Sequence, residues 1–153
     1  MKTTLKTIAA LAIIMLFFTS CNRDDNSGTN NPTTSTGGFT WRENDPNSTT
    51  IKTAGSSEVR TQYKSIFAFS GTTSGTLFEI NLTSVSVGTY DLAASGNSFY
   101  YSGFGTSGAG ATSGEVVITK NDGKTASGTF KAFRTGTDPV TRVYGTFTDI
   151  PVK

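Results

Sequence analysis

Nine carboxylates and not one histidine set the chemistry open to residues 39–153. A glycan-cleaving carboxylate pair needs its two groups about 5–10 Å apart, one of them with a raised pKa. Glu79, inside a predicted strand, and Glu115, at the start of one, are the candidate pair. Glu79 takes the face opposite Phe78 and Ile80, so solvent is expected around it rather than a partner acid. Asp122 and Asp138 fall in turn segments, where an Asp side chain accepts hydrogen bonds from nearby backbone. A calcium site needs several oxygens at short spacing. The one adjacent acidic pair, Asp24-Asp25, lies in a polar N-terminal segment, and no metal is expected. Without histidine there is no Ser-His-Asp or Cys-His arrangement and no His-bearing zinc site, and one cysteine, Cys21, allows no intrachain disulfide. No cofactor is expected.

The aromatic residues are the other group suited to a site. Phe99-Tyr100-Tyr101-Ser102-Gly103-Phe104 runs directly into residues 105–114, all Gly, Ala, Ser or Thr. Period-two alternation puts Tyr101 with Phe99 on one strand face and Tyr100 on the other. Tyr and Trp combine a large apolar area with a polar tip, which suits a carbohydrate or a partner protein. Tyr100, Tyr101 and Trp41 are therefore the candidate ligand-binding residues. The plainer alternative puts Phe99 and Tyr101 in the core and Tyr100 at its margin, with Trp41 as a core or lid residue.

The elements that must position these residues are strands. Thr, Ser and Gly (28, 17 and 17 residues) make up some two fifths of the chain, the composition of strands joined by tight turns. No window in 39–153 sustains a 3.6-residue apolar period, whereas alternation recurs. Phe78, Ile80 and Leu82 alternate with Leu77, Glu79 and Asn81; Ile66 and Ala68 alternate with Phe67 and Phe69; Val116 and Ile118 alternate with Val117 and Thr119. Strands are predicted near 39–43, 49–53, 61–70, 76–83, 86–92, 97–104, 115–120, 125–133 and 140–148. Asn121-Asp122-Gly123-Lys124 supplies the clearest hairpin turn, since Asp-Gly tolerates the positive φ such turns demand. The expected fold is all-β, an antiparallel sandwich or closed barrel of about eight to nine short strands. Ser127-Gly128-Thr129-Phe130 is echoed by Tyr144-Gly145-Thr146-Phe147, and a glycine there leaves room for a ring to lie across bare backbone.

The N-terminus reads as an address. Lys2 and Lys6 precede an apolar run from Ile8 to Phe18, well short of the roughly 20 residues that a membrane-spanning helix needs. Phe18-Thr19-Ser20-Cys21 resembles the lipobox of bacterial lipoproteins, although Leu is commoner where Phe18 stands. The resemblance implies a signal peptide over 1–20, cleavage before Cys21, and lipidation of that cysteine as the membrane contact. Two or three acyl chains make such anchoring stable where one is marginal. Arg23-Asp24-Asp25 resembles the export signal of Bacteroidota lipoproteins, which implies an outer-membrane protein facing the extracellular side. Residues 22–38 contain no aliphatic or aromatic side chain and cannot bury enough surface to offset their ordering entropy. With Cys21 they are expected to form a disordered tether, spanning roughly 23 Å as a flexible coil.

The β domain is expected over 39–153. Its ten Lys and Arg nearly balance its nine carboxylates, with no basic run, so nucleic acid is not an expected partner. Gly88-Thr89-Tyr90, Val117-Ile118-Thr119-Lys120 with its turn, the two Gly-Thr-Phe segments and an opening Phe39-Thr40-Trp41 together resemble a Bacteroidota lipoprotein family. That family is a domain of unknown function (DUF6252-like), and the resemblance covers roughly 39–152. It implies a β-rich extracellular domain and carries no catalytic residues to transfer. The reading is a surface lipoprotein with a non-enzymatic β domain that binds an extracellular glycan or protein. The alternatives are a structural or scaffold lipoprotein without a dedicated ligand, and a carboxylate-dependent glycan hydrolase.

Overall fold

The computed structural model describes residues 38–105 and 109–153. The expected signal peptide, Cys21, Arg23, Asp24, Asp25 and the expected tether up to residue 37 lie outside the described residues, as do residues 106–108. Eleven strands make up the described chain: β1 (Phe39–Glu43), β2 (Lys52–Thr53), β3 (Ser56–Arg60), β4 (Ser65–Phe69), β5 (Thr76–Asn81), β6 (Gly88–Asp91), β7 (Ser98–Tyr101), β8 (Ala109–Gly110), β9 (Ser113–Asn121), β10 (Thr125–Phe133) and β11 (Arg142–Pro151). They form a six-stranded sheet, β2-β1-β11-β10-β9-β6, and a five-stranded sheet, β3-β4-β5-β7-β8. All the ladders are antiparallel. An isolated parallel bridge between Val59 and Val152 is the one pairing between sheets among the described residues. The fold is all-β, and of the two expected architectures it is the sandwich, not the closed barrel.

The strand pattern follows the alternation in the sequence. Phe39, Trp41, Val116, Ile118, Phe130, Ala132, Val143 and Phe147 point inward from one sheet, and Val59, Ile66, Ala68, Phe78, Ile80, Phe99 and Tyr101 from the other. Rings from both sheets meet at the centre. Phe78 lies 5.0 Å from Phe39, 5.0 Å from Trp41, 4.4 Å from Tyr101 and 5.4 Å from Phe130, measured between centroids. Such pairs add to the area that each ring buries.

The repeated Gly-Thr-Phe segment is a reciprocal lock. Register in the β10–β11 ladder places Gly128 opposite Phe147 and Phe130 opposite Gly145. Each phenylalanine therefore lies over the glycine of the other strand, where a Cβ would strike its ring. The hairpin turn also forms where expected: Gly123 takes φ +80°, and the Asp122 carboxylate accepts the N–H groups of Lys124 and Thr125 at 2.9 and 2.7 Å.

Two strands come in addition to the nine expected. The expected strand 61–70 begins only at Ser65, because Thr61–Tyr63 form a 3-10 turn closed by Lys64 at φ +53°. Residues 56–60 before it form β3, whose polar Ser-Ser-Glu pattern hides a buried edge. Glu58 is only 6% exposed and is held by Arg60 and by Lys153 from the far end of the chain. The other addition, β8, pairs with β7 inside the Gly-rich stretch.

Candidate ligand-binding site

The three aromatic candidates separate. Trp41 and Tyr101 are 4% and 3% exposed, so they are core residues and cannot form a surface platform. Both lie on inward-facing positions, and their polar tips satisfy each other: Trp41 Nε1 donates to Tyr101 Oη at 2.8 Å. Tyr101 Oη in turn donates to Glu43, whose other oxygen binds Lys52 Nζ at 2.7 Å. Burial first, and then the neighbouring Glu43 carboxylate, push the Tyr101 phenol well above its usual pKa. Tyr100 faces outward, half-buried on the five-stranded sheet and in register with Glu79. Phe67 flanks Glu79 on the other side, under the Arg60 guanidinium at 4.6 Å.

The carboxylates do not assemble for acid–base work. Glu79 and Glu115 project from the outer faces of opposite sheets, beside the buried Ile80 and Val116. Sheet packing alone puts about 10 Å between them, before either side chain is counted. Glu115 pairs with Lys131 at 3.0 Å. Glu79 accepts from Asn81 Nδ2 at 3.1 Å. Asp138 pairs with Arg134 at 3.3 Å rather than capping its own turn. Glycan cleavage needs a carboxyl held protonated, which requires a raised pKa. The carboxylates with displaced pKa move the other way. Lys153 and then Arg60 lower Glu58; two backbone N–H groups and then Lys120 lower Asp122; Lys120 and then Ser127 lower Asp149. No three carboxylates among the described residues converge on a point that could hold a cation.

Three clefts of comparable size differ in their linings. One of about 570 Å³ lies where the chain enters at Gly38, and one of about 380 Å³ lies beside Val87; neither has an exposed aromatic wall. The third, about 450 Å³, opens on the outer face of the six-stranded sheet and is lined by Thr112, Ser113, Phe133, Arg134, Thr135, Arg142 and Tyr144. Phe133 lies opposite Ser113 on one side and Arg142 on the other, while Tyr144 sits between Lys131 and Arg42. The Phe133 and Tyr144 rings meet edge to face at 5.8 Å, and both are half-buried. An aromatic wall with a few convergent polar groups, in a space of this size, is the general form of a small-ligand site.

Sequence reasoning missed this cleft. The available signal was Phe133-Arg134 and Arg142-Val143-Tyr144 on either side of one loop, with alternation turning Phe133 and Tyr144 away from the core. The family model for a domain of unknown function (DUF6252) matches residues 53–151. The chain belongs to that family. The match starts at the end of β2, so Phe39-Thr40-Trp41 falls outside it. No curated protein and no solved structure matches the chain.

Proposed function

We propose that this DUF6252 chain is a cell-surface lipoprotein of the Bacteroidota whose β domain binds an extracellular glycan without cleaving it. The observation that carries the reading is the Phe133–Tyr144 cleft, with its hydroxyl and guanidinium rim. A pyranose ring has apolar faces and a polar equator. Tyr and Phe cover the first, and Thr, Ser and Arg donate to the second. The separation of Glu79 from Glu115 and the downward pKa displacements favour binding over hydrolysis.

The lipid anchor and the surface address rest on Phe18-Thr19-Ser20-Cys21 and Arg23-Asp24-Asp25. The place where the tether joins the domain is compatible with both. Gly38 O accepts from Thr148 N at 2.9 Å, near the end of β11 remote from the cleft. Six residues of strand separate Thr148 from Arg142, about 20 Å. Gly38 thus lies at the end of β11 away from the cleft.

A glycan array probed with the whole protein in detergent tests the reading. Retention on at least one glycan class, lost in Tyr144→Ala and kept in Tyr100→Ala, is expected. Retention that Tyr144→Ala leaves intact, or no retention at all, overturns it.

A further inference from the structure

The cleft carries more positive charge than a neutral sugar would require. Four cations surround its aromatic pair: Arg42 and Lys131 are in register with Tyr144, Arg142 is opposite Phe133, and Arg134 follows Phe133 in the chain. Three of them are already engaged. Arg42 Nε donates to Ser48 O at 2.8 Å, and Lys131 is held by Glu115 at 3.0 Å. Arg134 donates to Phe104 O at 3.1 Å and pairs with Asp138 at 3.3 Å. Glu115 and Asp138, the carboxylate partners of Lys131 and Arg134, are thus both taken up.

Arg142 differs from the rest. It lines the cleft, it is exposed, and among the described residues its side chain makes no hydrogen bond or ion pair. Its strand is fixed on both sides, by β1 and by β10, so the base of the side chain is held in place. A guanidinium presents a planar fork of donors that matches a carboxylate or a sulfate in two-point contact.

We infer that the cleft binds an acidic sugar, a uronate or a sulfated residue, with its ring against Phe133 and Tyr144 and its anionic group on Arg142. This rests on the glycan reading of the cleft and specifies the class of glycan. Thr112, Ser113 and Thr135 would meet the neutral hydroxyls of the same residue.

Calorimetric titration of the whole protein in detergent separates the cases. The probes are tetragalacturonate, its fully methyl-esterified form, a sulfated tetrasaccharide and its desulfated form. At least one charged probe should bind roughly tenfold or more tightly than its neutral counterpart, the expected worth of one charge-assisted contact. The preference should shrink as salt rises from about 50 to about 500 mM. Arg142→Gln should abolish that preference, so that the charged probe binds no more tightly than its neutral counterpart. Which acid wins tells a carboxylate ligand from a sulfate. Equal affinity for charged and neutral probes overturns the acidic assignment but leaves the glycan reading standing. A preference that survives Arg142→Gln overturns the role given to that residue. No heat from any of the four probes overturns the inference, and the array separately decides the reading beneath it.

Discussion

Placing a methyl group on Gly145 should destabilise the domain sharply, although alanine is the smallest possible change. A Cβ there would lie 2.5 Å from Thr40 O and 2.6 Å from Phe130 Cε1, roughly 1 Å inside van der Waals contact. Neither neighbour can yield. Thr40 belongs to the β1–β11 ladder, and the Phe130 ring is wedged against Phe39, Phe78 and Phe99 at 5.1, 5.4 and 5.5 Å. Forcing extra atoms into packed space costs about 1–3 kcal/mol. At about 4 °C per kcal/mol for a domain of this size, Gly145→Ala should lower Tm by about 4–12 °C. Gly38→Ala is the control: nothing lies within 4 Å of its Cβ position, and the shift should stay within about 2 °C. Melts followed by circular dichroism read both. Shrinking the ring should relieve part of the strain, so in a Phe130→Ala background the Gly145→Ala cost should fall by at least about 0.5 kcal/mol. A Gly145→Ala melt indistinguishable from the Gly38→Ala melt, or costs that simply add, would refute the reciprocal lock.

Tyr101→Phe removes both the acceptor of Trp41 Nε1 and the donor to Glu43, and should cost about 1–3 kcal/mol in urea unfolding. Fluorescence of Trp41, the chain's one tryptophan, should shift with it. Because the folded Tyr101 pKa is raised, its contribution is complete below the unfolded value near 10 and is lost as pH rises. Stability should therefore fall above pH 10 in the wild type and less steeply in Tyr101→Phe. Glu58 has the opposite sign: its lowered pKa stabilises the fold above about pH 4.5 and the benefit is lost as pH falls. Glu58→Gln should thus cost about 1–3 kcal/mol near pH 7 and progressively less as pH falls below about 4.5, measured by urea unfolding at each pH. Cys21→Ser should abolish acyl labelling, and replacing Arg23, Asp24 and Asp25 together with Ala should remove protease-accessible protein from intact cells while total protein persists.

Local pattern carried the strands and failed where remote parts of the chain decide the outcome. Alternation in 76–83 placed Phe78 and Ile80 correctly, because one buried face imposes period two on the strand that bears it. The Gly-Thr-Phe echo foretold glycines covered by rings, but not that each ring comes from the other strand, which only register reveals. β3 was illegible because its buried Glu58 depends on Lys153, the last residue of the chain. Trp41 and Tyr101 were offered as binding residues because their polar tips suit a wet surface. The fold spends those tips on each other inside the core. The cleft went unseen for a related reason. Phe133, Arg142 and Tyr144 converge through cross-strand pairing, and the two segments flanking their loop show only that both rings turn outward, not that they meet.

Amide chemical-shift mapping of the labelled protein against the tightest-binding glycan tests the binding site most directly. The account predicts shifts at saturation clustered on Thr112, Ser113, Phe133, Arg134, Thr135, Arg142 and Tyr144, with the outer face of the five-stranded sheet quiet. Shifts centred instead on Phe67, Glu79 and Tyr100, or none at any glycan concentration, would contradict it.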